Sequence, residues 1–479
     1  MNYSIIINIL GWVLSLQGIF MLPPCLVGLI YKEYQDAIVY LIISICCTVI
    51  GFLFRRIKVK SSTFYAKEGF VAVALSWIIL SMTGAIPFTL NGDIPSYVDA
   101  LFEIISGYST TGSSILTDVE ALSHANIFFR SFSHWIGGMG VLVFILAILP
   151  MTGGSTINLL KAESPGPSVG KLVPKMRQTA VLLYAIYFVI TIVVIILFLL
   201  GGMSLFEAFC HAFGTVGTGG FGIKNDSMAG YSPYLQTVTT IFMFLCGINF
   251  TFYHYILIHR VRDAFKMEEV RWYFAIYFGA VVLLMINLVS NGYTFWDTLL
   301  HVTFQVSSIM TTTGFATTDF NLWPEFSRGL ILCLMFIGAC AGSTGGGIKV
   351  SRIMIYLKQV GKELMQQIHP RRVHVLKMDG KEIPHSTAHS CNVLLMTYIV
   401  IFTASYLLIS LDGFDPTTNF SAIAATLNNI GPGFNMVGAT GNFSAFSNFS
   451  KFILMFDMLA GRLEIIPMIL LFYPSTWKK

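Results

Sequence analysis

The chain has 479 residues, 55% of them hydrophobic and only 11% charged, with a net charge of +5. Soluble proteins carry about 25% charged residues, so the composition excludes an ordinary soluble domain and indicates an integral membrane protein. Apolar runs of about 20 residues imply helices rather than a barrel, and the small net charge, carried by loops, bears on topology rather than on nucleic acid.

Two apolar segments, 5–30 and 37–54, come first and belong to no repeat. Pro23-Pro24 is expected to kink or break the first. That run is too long for the core of a cleavable signal and ends without a small-residue cleavage site, so it reads as a retained span. A pattern then occurs four times, about a hundred residues apart, as one ancestral unit reused would give. In the first copy, a span 70–90 and a short helix 96–108 lead into Ser109-Thr110-Thr111-Gly112-Ser113, and a second span covers 126–149. In the second, spans 178–200 and 234–258 flank Thr218-Gly219-Gly220-Phe221. In the third, spans 272–289 and 328–357 flank Thr311-Thr312-Thr313-Gly314-Phe315. In the fourth, spans 392–411 and 447–472 flank Asn428-Asn429-Ile430-Gly431-Pro432-Gly433. The interval from Asp99 to Gly112 equals that from Glu207 to Gly220, so the first two copies align without a gap.

The expected fold is therefore all-α and integral to the membrane. Four pseudo-symmetric span–pore-loop–span repeats surround one central pore, with two extra N-terminal transmembrane helices, ten spans and four re-entrant segments in all. The expected divisions are 1–67 for the N-terminal helices, then 68–160, 161–265, 266–380 and 381–479 for the repeats, the third with a broken second span.

Non-helical backbone at membrane depth is tolerated only when buried in protein or lining a wet cavity. Four such loops can surround one axis. Glycine reaches backbone angles that other residues avoid, small side chains let four backbones approach, and a ring of carbonyls can replace the water shell of a bare monovalent cation. One copy alone reads equally well as a Gly-rich turn outside the membrane; four in register point to a pore.

Lys and Arg set the orientation. Arg55, Arg56, Lys58, Lys60 and Lys67 follow the second span; Lys161, Lys171, Lys175 and Arg177 join repeats one and two; Arg260, Arg262, Lys266 and Arg271 join two and three; Lys358, Lys362, Arg371, Arg372, Lys377 and Lys381 join three and four; Lys478-Lys479 ends the chain. All fall on one side, which is expected to be cytoplasmic together with both termini. The loop side carries Asp93, Asp99, Glu103, Asp118, Glu120, Asp226, Asp297, Asp319, Glu325, Asp412 and Asp415. These are either an acidic outer face that concentrates cations or ordinary solvated loop charge.

Two features break otherwise apolar spans. The stretch Gly338-Ala339-Cys340-Ala341-Gly342-Ser343-Thr344-Gly345-Gly346-Gly347, followed by Lys349 and Arg352, cannot hold a straight helix. It is expected to form a flexible intramembrane loop, the alternative being close packing through small residues. The second feature is Arg462, a charge at a depth where charges are costly and usually functional. At 1.5 Å per residue, both Arg462 and Gly342 lie roughly 20 Å below the outer ends of their spans. The expected gate is therefore the segment Gly342, Ser343, Thr344, Gly345, Gly346 and Gly347, with Arg462 binding its carbonyls and repelling cations from the closed pore. An intrahelical pair of Arg462 with Glu464 or Asp457 is disfavoured, because neither spacing shares a helix face.

The eight cysteines (Cys25, Cys46, Cys47, Cys210, Cys246, Cys333, Cys340 and Cys391) have no metal-ligand spacing and read as buried thiols without disulfides. In His134-Trp135-Ile136-Gly137-Gly138-Met139-Gly140 the glycines suit tight contact with a neighbouring loop helix. Trp135 reads as an interface anchor, and His134 lacks co-ligands.

These motifs together make the chain similar to the pore-forming subunits of Trk potassium uptake systems (TrkH/TrkG type), within the wider Trk/Ktr/HKT superfamily. The resemblance spans essentially the whole chain and also includes Ala162-Glu163-Ser164-Pro165-Gly166-Pro167 and the region 305–319. It implies a K⁺-selective filter with one glycine per repeat, at Gly112, Gly220 (Gly219 under a one-residue shift), Gly314 and Gly431. The filter set is then Thr110, Thr111, Gly112, Thr218, Gly219, Gly220, Thr312, Thr313, Gly314, Asn429, Ile430 and Gly431. K⁺ would be held at Thr110, Thr111, Thr218, Gly219, Thr312, Thr313, Asn429 and Ile430. In sodium-selective plant relatives the first filter glycine is serine, so Gly112 favours K⁺. The resemblance also implies a homodimer in the bacterial inner membrane and cytosolic TrkA-type nucleotide-binding partners. This chain shows no nucleotide motif, so K⁺ as cargo is the only small molecule expected on it. Asn429-Ile430-Gly431 departs most from the other copies, so the fourfold symmetry is approximate.

Two further readings stand beside gated permeation. Symport coupled to H⁺ or Na⁺ would need a titrating group at the midplane, for which Asp457 and Glu464 are the candidates. An enzyme would need a nucleophile–base pair or a metal cluster, and the sequence shows neither.

Overall fold

A computed structural model describes residues 1–57, 65–140, 176–371 and 374–477. Lys58, Lys60, Lys161, Lys171, Lys175, Arg372, Lys478, Lys479, the 162–167 motif and the stretch 141–149 lie outside the described residues. The described chain is mostly helical. Helices α1 (Tyr3–Phe20) and α2 (Leu22–Ile30) form one apolar span of 28 residues. Pro23 and Pro24 fall at the start of α2, where a missing N–H costs nothing, so they mark a joint without ending the span. Helix α3 (Tyr34–Arg55) runs back along α1. The two touch through small residues: Ser44 Oγ donates to Gly18 O at 2.6 Å, and a Cβ added to Gly51 would fall 2.6 Å from Gly11 O.

The order long helix, short helix, loop, second helix then occurs four times. The long helices are α4 (Ala66–Asn91), α7 (Met176–Leu200), α12 (Glu268–Ser290) and α16 (His385–Ile409). The short ones are α5 (Tyr97–Tyr108), α8 (Leu205–Val216), α13 (Phe295–Met310) and α17 (Pro416–Leu427). Their starts are written in the sequence. The Ser96 side chain accepts from Asp99 N, Ser204 and Glu207 form a reciprocal capping box, and Asp415 accepts from Thr418 N ahead of Pro416. Asp99, Glu207 and Asp297 each lie in a first turn, where a carboxylate offsets the positive end of the helix dipole.

The second helices are α6 (His124–Met139), α9 (Pro233–Cys246) with α10 (Phe250–Leu257), α14 (Glu325–Met335) with α15 (Val350–Ile368), and α18 (Asn448–Arg462) with α19 (Ile466–Phe472); a short α11 (Val261–Lys266) precedes α12. A two-residue hairpin, β1 (Lys377–Met378) with β2 (Lys381–Glu382), sits between α15 and α16. The third second helix is interrupted over 336–349, as expected. Two others differ from expectation. The apolar run 234–258 bends by 91° between α9 and α10, because Asn249 caps a new helix by accepting from Thr251 N at 2.9 Å. The run 447–472 breaks after Arg462, where Glu464 and Ile465 take positive φ and Pro467 starts α19. Helix α6 ends at Gly140, with φ 83°.

Among the described residues, six helices are long and apolar enough to cross a bilayer, and the bent pair makes a seventh. The expected spans 234–258, 328–357 and 447–472 are interrupted into shorter pieces, and the expected span 126–149 lies only partly within the described residues. All eight cysteines are free thiols, but Cys46 and Cys333 are exposed on the outer faces of α3 and α14, which corrects the reading of a fully buried set. Ile42, Ile45 and Ile50 are exposed with Cys46 on α3, and Phe326 with Cys333 on α14, as on a lipid-facing surface.

Because α1 and α3 meet at glycine, Gly51→Leu is expected to lower stability by about 1–3 kcal/mol through overpacking. Thermal unfolding in detergent would measure this. An unchanged melting temperature would mean that the close packing of the pair is not a stabilising feature.

Candidate functional site

Each short helix ends in the same way. The first residue of the following triplet has left-handed backbone: Thr110 (φ 55°), Thr218 (φ 53°), Thr312 (φ 58°) and Asn429 (φ 56°). The third residue is a glycine with positive φ: Gly112 (82°), Gly220 (76°), Gly314 (89°) and Gly431 (102°). This register makes Gly220 the counterpart of Gly112, with no shift to Gly219. The four loops touch in cyclic order. A Cβ added to Gly112 would lie 2.2 Å from Gly219 O; one on Gly220, 1.9 Å from Thr313 O; one on Gly314, 2.2 Å from Ile430 O; one on Gly431, 2.7 Å from Thr111 O. Every middle residue thus presents its carbonyl to a glycine of the neighbouring loop, and the fourth loop closes on the first. All twelve residues predicted from the sequence meet in this ring.

Side chains fasten the ring from behind. Thr111 Oγ1 lies 2.7 Å from Ser109 Oγ, and Thr313 Oγ1 lies 2.7 Å from Thr311 Oγ1. Asn429 departs from threonine with a structural consequence: its Nδ2 donates to Thr111 Oγ1 at 2.9 Å and to Met458 O at 2.8 Å, a reach threonine lacks. Ser113 Oγ donates to Gly431 O at 3.0 Å. Gly219 replaces threonine for steric reasons, since a Cβ there would lie 2.1 Å from the His134 ring. His134 Nδ1 meets Gly107 O at 2.8 Å, and its Nε2 accepts from Phe221 N at 3.3 Å. His134 therefore ties the end of α5 to the second loop. The expected tight contact of the adjacent glycines also holds: a Cβ on Gly137 would collide with Tyr108 O. Trp135 is half-buried. Its indole donates to Thr191 Oγ1 on α7 at 3.1 Å, inside the chain.

Glu103, read from the sequence among the outer acidic residues, is fully buried. It pairs with Arg130 on α6 at 2.5 Å and accepts from Ile115 N at 3.0 Å and Ser114 Oγ at 2.9 Å. Arg130 continues to Gly222 O at 2.8 Å and packs over the Phe221 ring. This buried pair joins the first loop to the second. Asp99 is also structural, pairing with Lys451 on α18 at 2.6 Å. Sequence reasoning passed over Arg130, although an arginine at the seventh position of an apolar helix was the available signal.

The interrupted second helices meet one layer beyond the ring. Arg462 donates to Thr344 O at 2.8 Å in the intramembrane loop, and to Gly137 O at 2.5 Å and Gly138 O at 2.8 Å in the last turn of α6. The arginine thus caps an open helix end while holding the loop. The expected juxtaposition of Arg462 with the glycine segment is present, and the disfavoured intrahelical pairs are not the ones formed. Glu464 binds Arg352 at 2.5 Å and Asp457 accepts from Ser405 at 2.8 Å. The loop rests on the α9–α10 elbow, with Cys340 N donating to Gly247 O and Phe250 N to Gly342 O, both at 3.0 Å. Gly346 N donates to Thr312 Oγ1 at 2.6 Å, joining the loop to the ring, and Lys349 Nζ folds back on Gly345 O and Gly346 O.

Comparison with known proteins gives one consistent answer. The family model described as "TrkH: Cation transport protein" matches residues 35–479. The chain is 34% identical to the Trk system potassium uptake protein TrkH of Escherichia coli (strain K12) and 35% identical to that of Vibrio parahaemolyticus, covering 100% of each protein. It is 32% identical to TrkG of Escherichia coli (strain K12), covering 100% of this chain and 99% of TrkG. The crystal structure of the potassium transporter TrkH from Vibrio parahaemolyticus superposes with a TM-score of 0.88 at 32% identity, over 100% of both chains.

Removing one partner of a buried ion pair leaves an uncompensated charge. Arg130→Met is therefore expected to cost about 3–5 kcal/mol, with part of the loss recovered in the double variant with Glu103→Gln. Denaturant unfolding of the three variants measures this. Additive losses would show that the pair does not brace the two loops.

Proposed function

The chain belongs to the TrkH family of cation transport proteins, and from that membership we propose that it takes up K⁺ through a gated, K⁺-selective pore. The coarse frame is firm: this is a helical, multi-pass membrane protein of a transporter family, and the relatives named above are potassium uptake proteins. In our reading the four helix–loop–helix segments are repeats around one axis, within 68–160, 161–265, 266–380 and 381–479, and the ring of loops is the selectivity filter. The observation that carries the proposal is the closed cyclic contact of four Thr/Asn-x-Gly loops with matched backbone angles. A strained left-handed residue repeated four times is over-determined by its surroundings, as strain at functional sites is. Backbone carbonyls of Thr110, Thr111, Thr218, Gly219, Thr312, Thr313, Asn429 and Ile430 would then take the place of the ion's water shell.

The gate is the 342–347 segment with Arg462. In the arrangement described here the guanidinium lies next to the ring and holds the loop through Thr344 O, a closed state in which a fixed positive charge opposes a cation. Opening requires the loop to leave Arg462 and Thr312. Inward movement is driven by the membrane potential, worth about 2.3 kcal/mol per charge per 100 mV. The protein acts as a homodimer in the bacterial inner membrane with both termini cytoplasmic. Cytosolic TrkA-type subunits supply nucleotide control, and no catalytic step is assigned to this chain.

Coupled symport is the second reading, favoured by one observation: Asp457 is fully buried and its Oδ2 has no hydrogen-bond partner among the described residues. Glu464 is the weaker candidate because it is already paired with Arg352.

Reversal potentials in liposomes under opposed K⁺ and Na⁺ gradients separate the two readings. The wild type is expected to follow the K⁺ equilibrium potential, and Gly112→Ser to move toward that of Na⁺. A wild-type value that follows neither ion and shifts with pH would replace the pore with a coupled carrier. In the same liposomes, Arg462→Ala should raise the open fraction by about tenfold or more, the scale of the one charge-assisted hydrogen bond it makes to the loop at Thr344 O. No change would remove Arg462 from the gate.

A further inference from the structure

The intramembrane loop is held at its crown by Arg462 and Thr312, but its two ends converge on a residue that neither the sequence motifs nor the comparisons single out. Glu269, in the first turn of α12, is only 5% exposed and has no salt-bridge partner within 4.0 Å among the described residues. A buried carboxylate without a counter-ion must be stabilised by hydrogen bonds. Its donors are main-chain N–H groups at opposite ends of one loop. Glu269 Oε1 accepts from Ala341 N at 2.6 Å and from Ser351 N at 3.2 Å. Asn249 Nδ2, from the α9–α10 elbow, approaches Oε2 at 3.5 Å. One carboxylate therefore gathers the start of the glycine segment, the first turn of α15 and the elbow beneath the loop.

The preceding residue anchors this clamp. Glu268 pairs with Lys358 on α15 at 2.5 Å, and its backbone N–H donates to Asp379 Oδ1 in the β1–β2 turn at 2.7 Å. The start of α12 is thus fastened to the polar-side hairpin by one glutamate and to the intramembrane loop by the next.

We propose that Glu269 is the positioning residue that sets the closed arrangement of the intramembrane loop, by tying Ala341 and Ser351 to the start of α12. The loop cannot leave the ring as a unit without lengthening one of these bonds. Movement of α12 relative to α15 is therefore movement of the gate. The inference rests on the gated-pore reading and adds to it the residue through which force reaches the loop.

The test uses the full-length protein in liposomes, without cytosolic partners. Glu269→Ala is expected to raise the open fraction about tenfold or more, the scale of at least one hydrogen bond to a charged acceptor, and Glu269→Gln, which keeps a neutral acceptor, less. Ser351→Pro deletes one N–H from the opposite side of the clamp at a helix position that tolerates proline. It should shift the open fraction in the same direction. The K⁺/Na⁺ permeability ratio should stay at its wild-type value in all three. Hydrogen–deuterium exchange gives a second readout independent of transport: peptides covering 338–351 should exchange faster in Glu269→Ala and Ser351→Pro. Unchanged exchange and open fraction in both variants, or a changed permeability ratio, would overturn the proposal. If Glu269→Ala aggregates, Glu269→Gln and Ser351→Pro decide it alone. Failure of the pore reading is distinguishable, because it appears in the wild type as the absence of K⁺-selective flux while the exchange result stands.

Discussion

The rest of the structure follows from one constraint. A peptide group at membrane depth must find its hydrogen bond within the protein. Among the described residues, the interruptions of the second helices supply hydrogen bonds to one another. The open end of α6 is capped by Arg462 at the end of α18. The elbow after α9 exchanges two bonds with the glycine loop after α14. Breaking one helix would be costly; breaking several at one level lets each supply what its neighbours lack.

Charge follows the same logic. Arg130, Lys349, Arg352 and Lys451 are all buried, and each has an assigned acceptor: Glu103, the loop carbonyls, Glu464 and Asp99. Such pairs add little net stability over apolar packing, but they punish misplacement severely. Their role is therefore to fix register. Glu103–Arg130 positions the first two loops against each other, and Arg352–Glu464 positions the start of α15 against the break after α18.

Much of the fold was legible in the sequence because it depends on local chemistry. Ser96, Ser204 and Asp415 announce the short helices, the Thr-x-Gly triplets announce the turns, and the run from Gly338 to Gly347 announces a break. The elbow at Gly247 and the break after Arg462 were not legible in the same way. The signals there (Asn249, Pro467) are single residues whose effect depends on what receives the freed backbone groups. Glu103 and Glu269 were misread or passed over for a related reason. An acid near a predicted helix end looks solvated until the partner appears, and Arg130 lies 27 residues from Glu103 and Ala341 72 residues from Glu269.

The seam of the ring has a consequence for biosynthesis. The contacts that close it, Asn429 with Thr111 and Ser113 with Gly431, each join residues 318 positions apart. The other three junctions form between neighbours in the chain order, so they can assemble as the polypeptide emerges from the ribosome. The last cannot: until α17 has entered the membrane, Thr111 presents its carbonyl to no glycine. A nascent chain therefore carries an open arc until the fourth loop has been made. A product terminated before the fourth loop lacks both contacts that turn the arc into a closed ring.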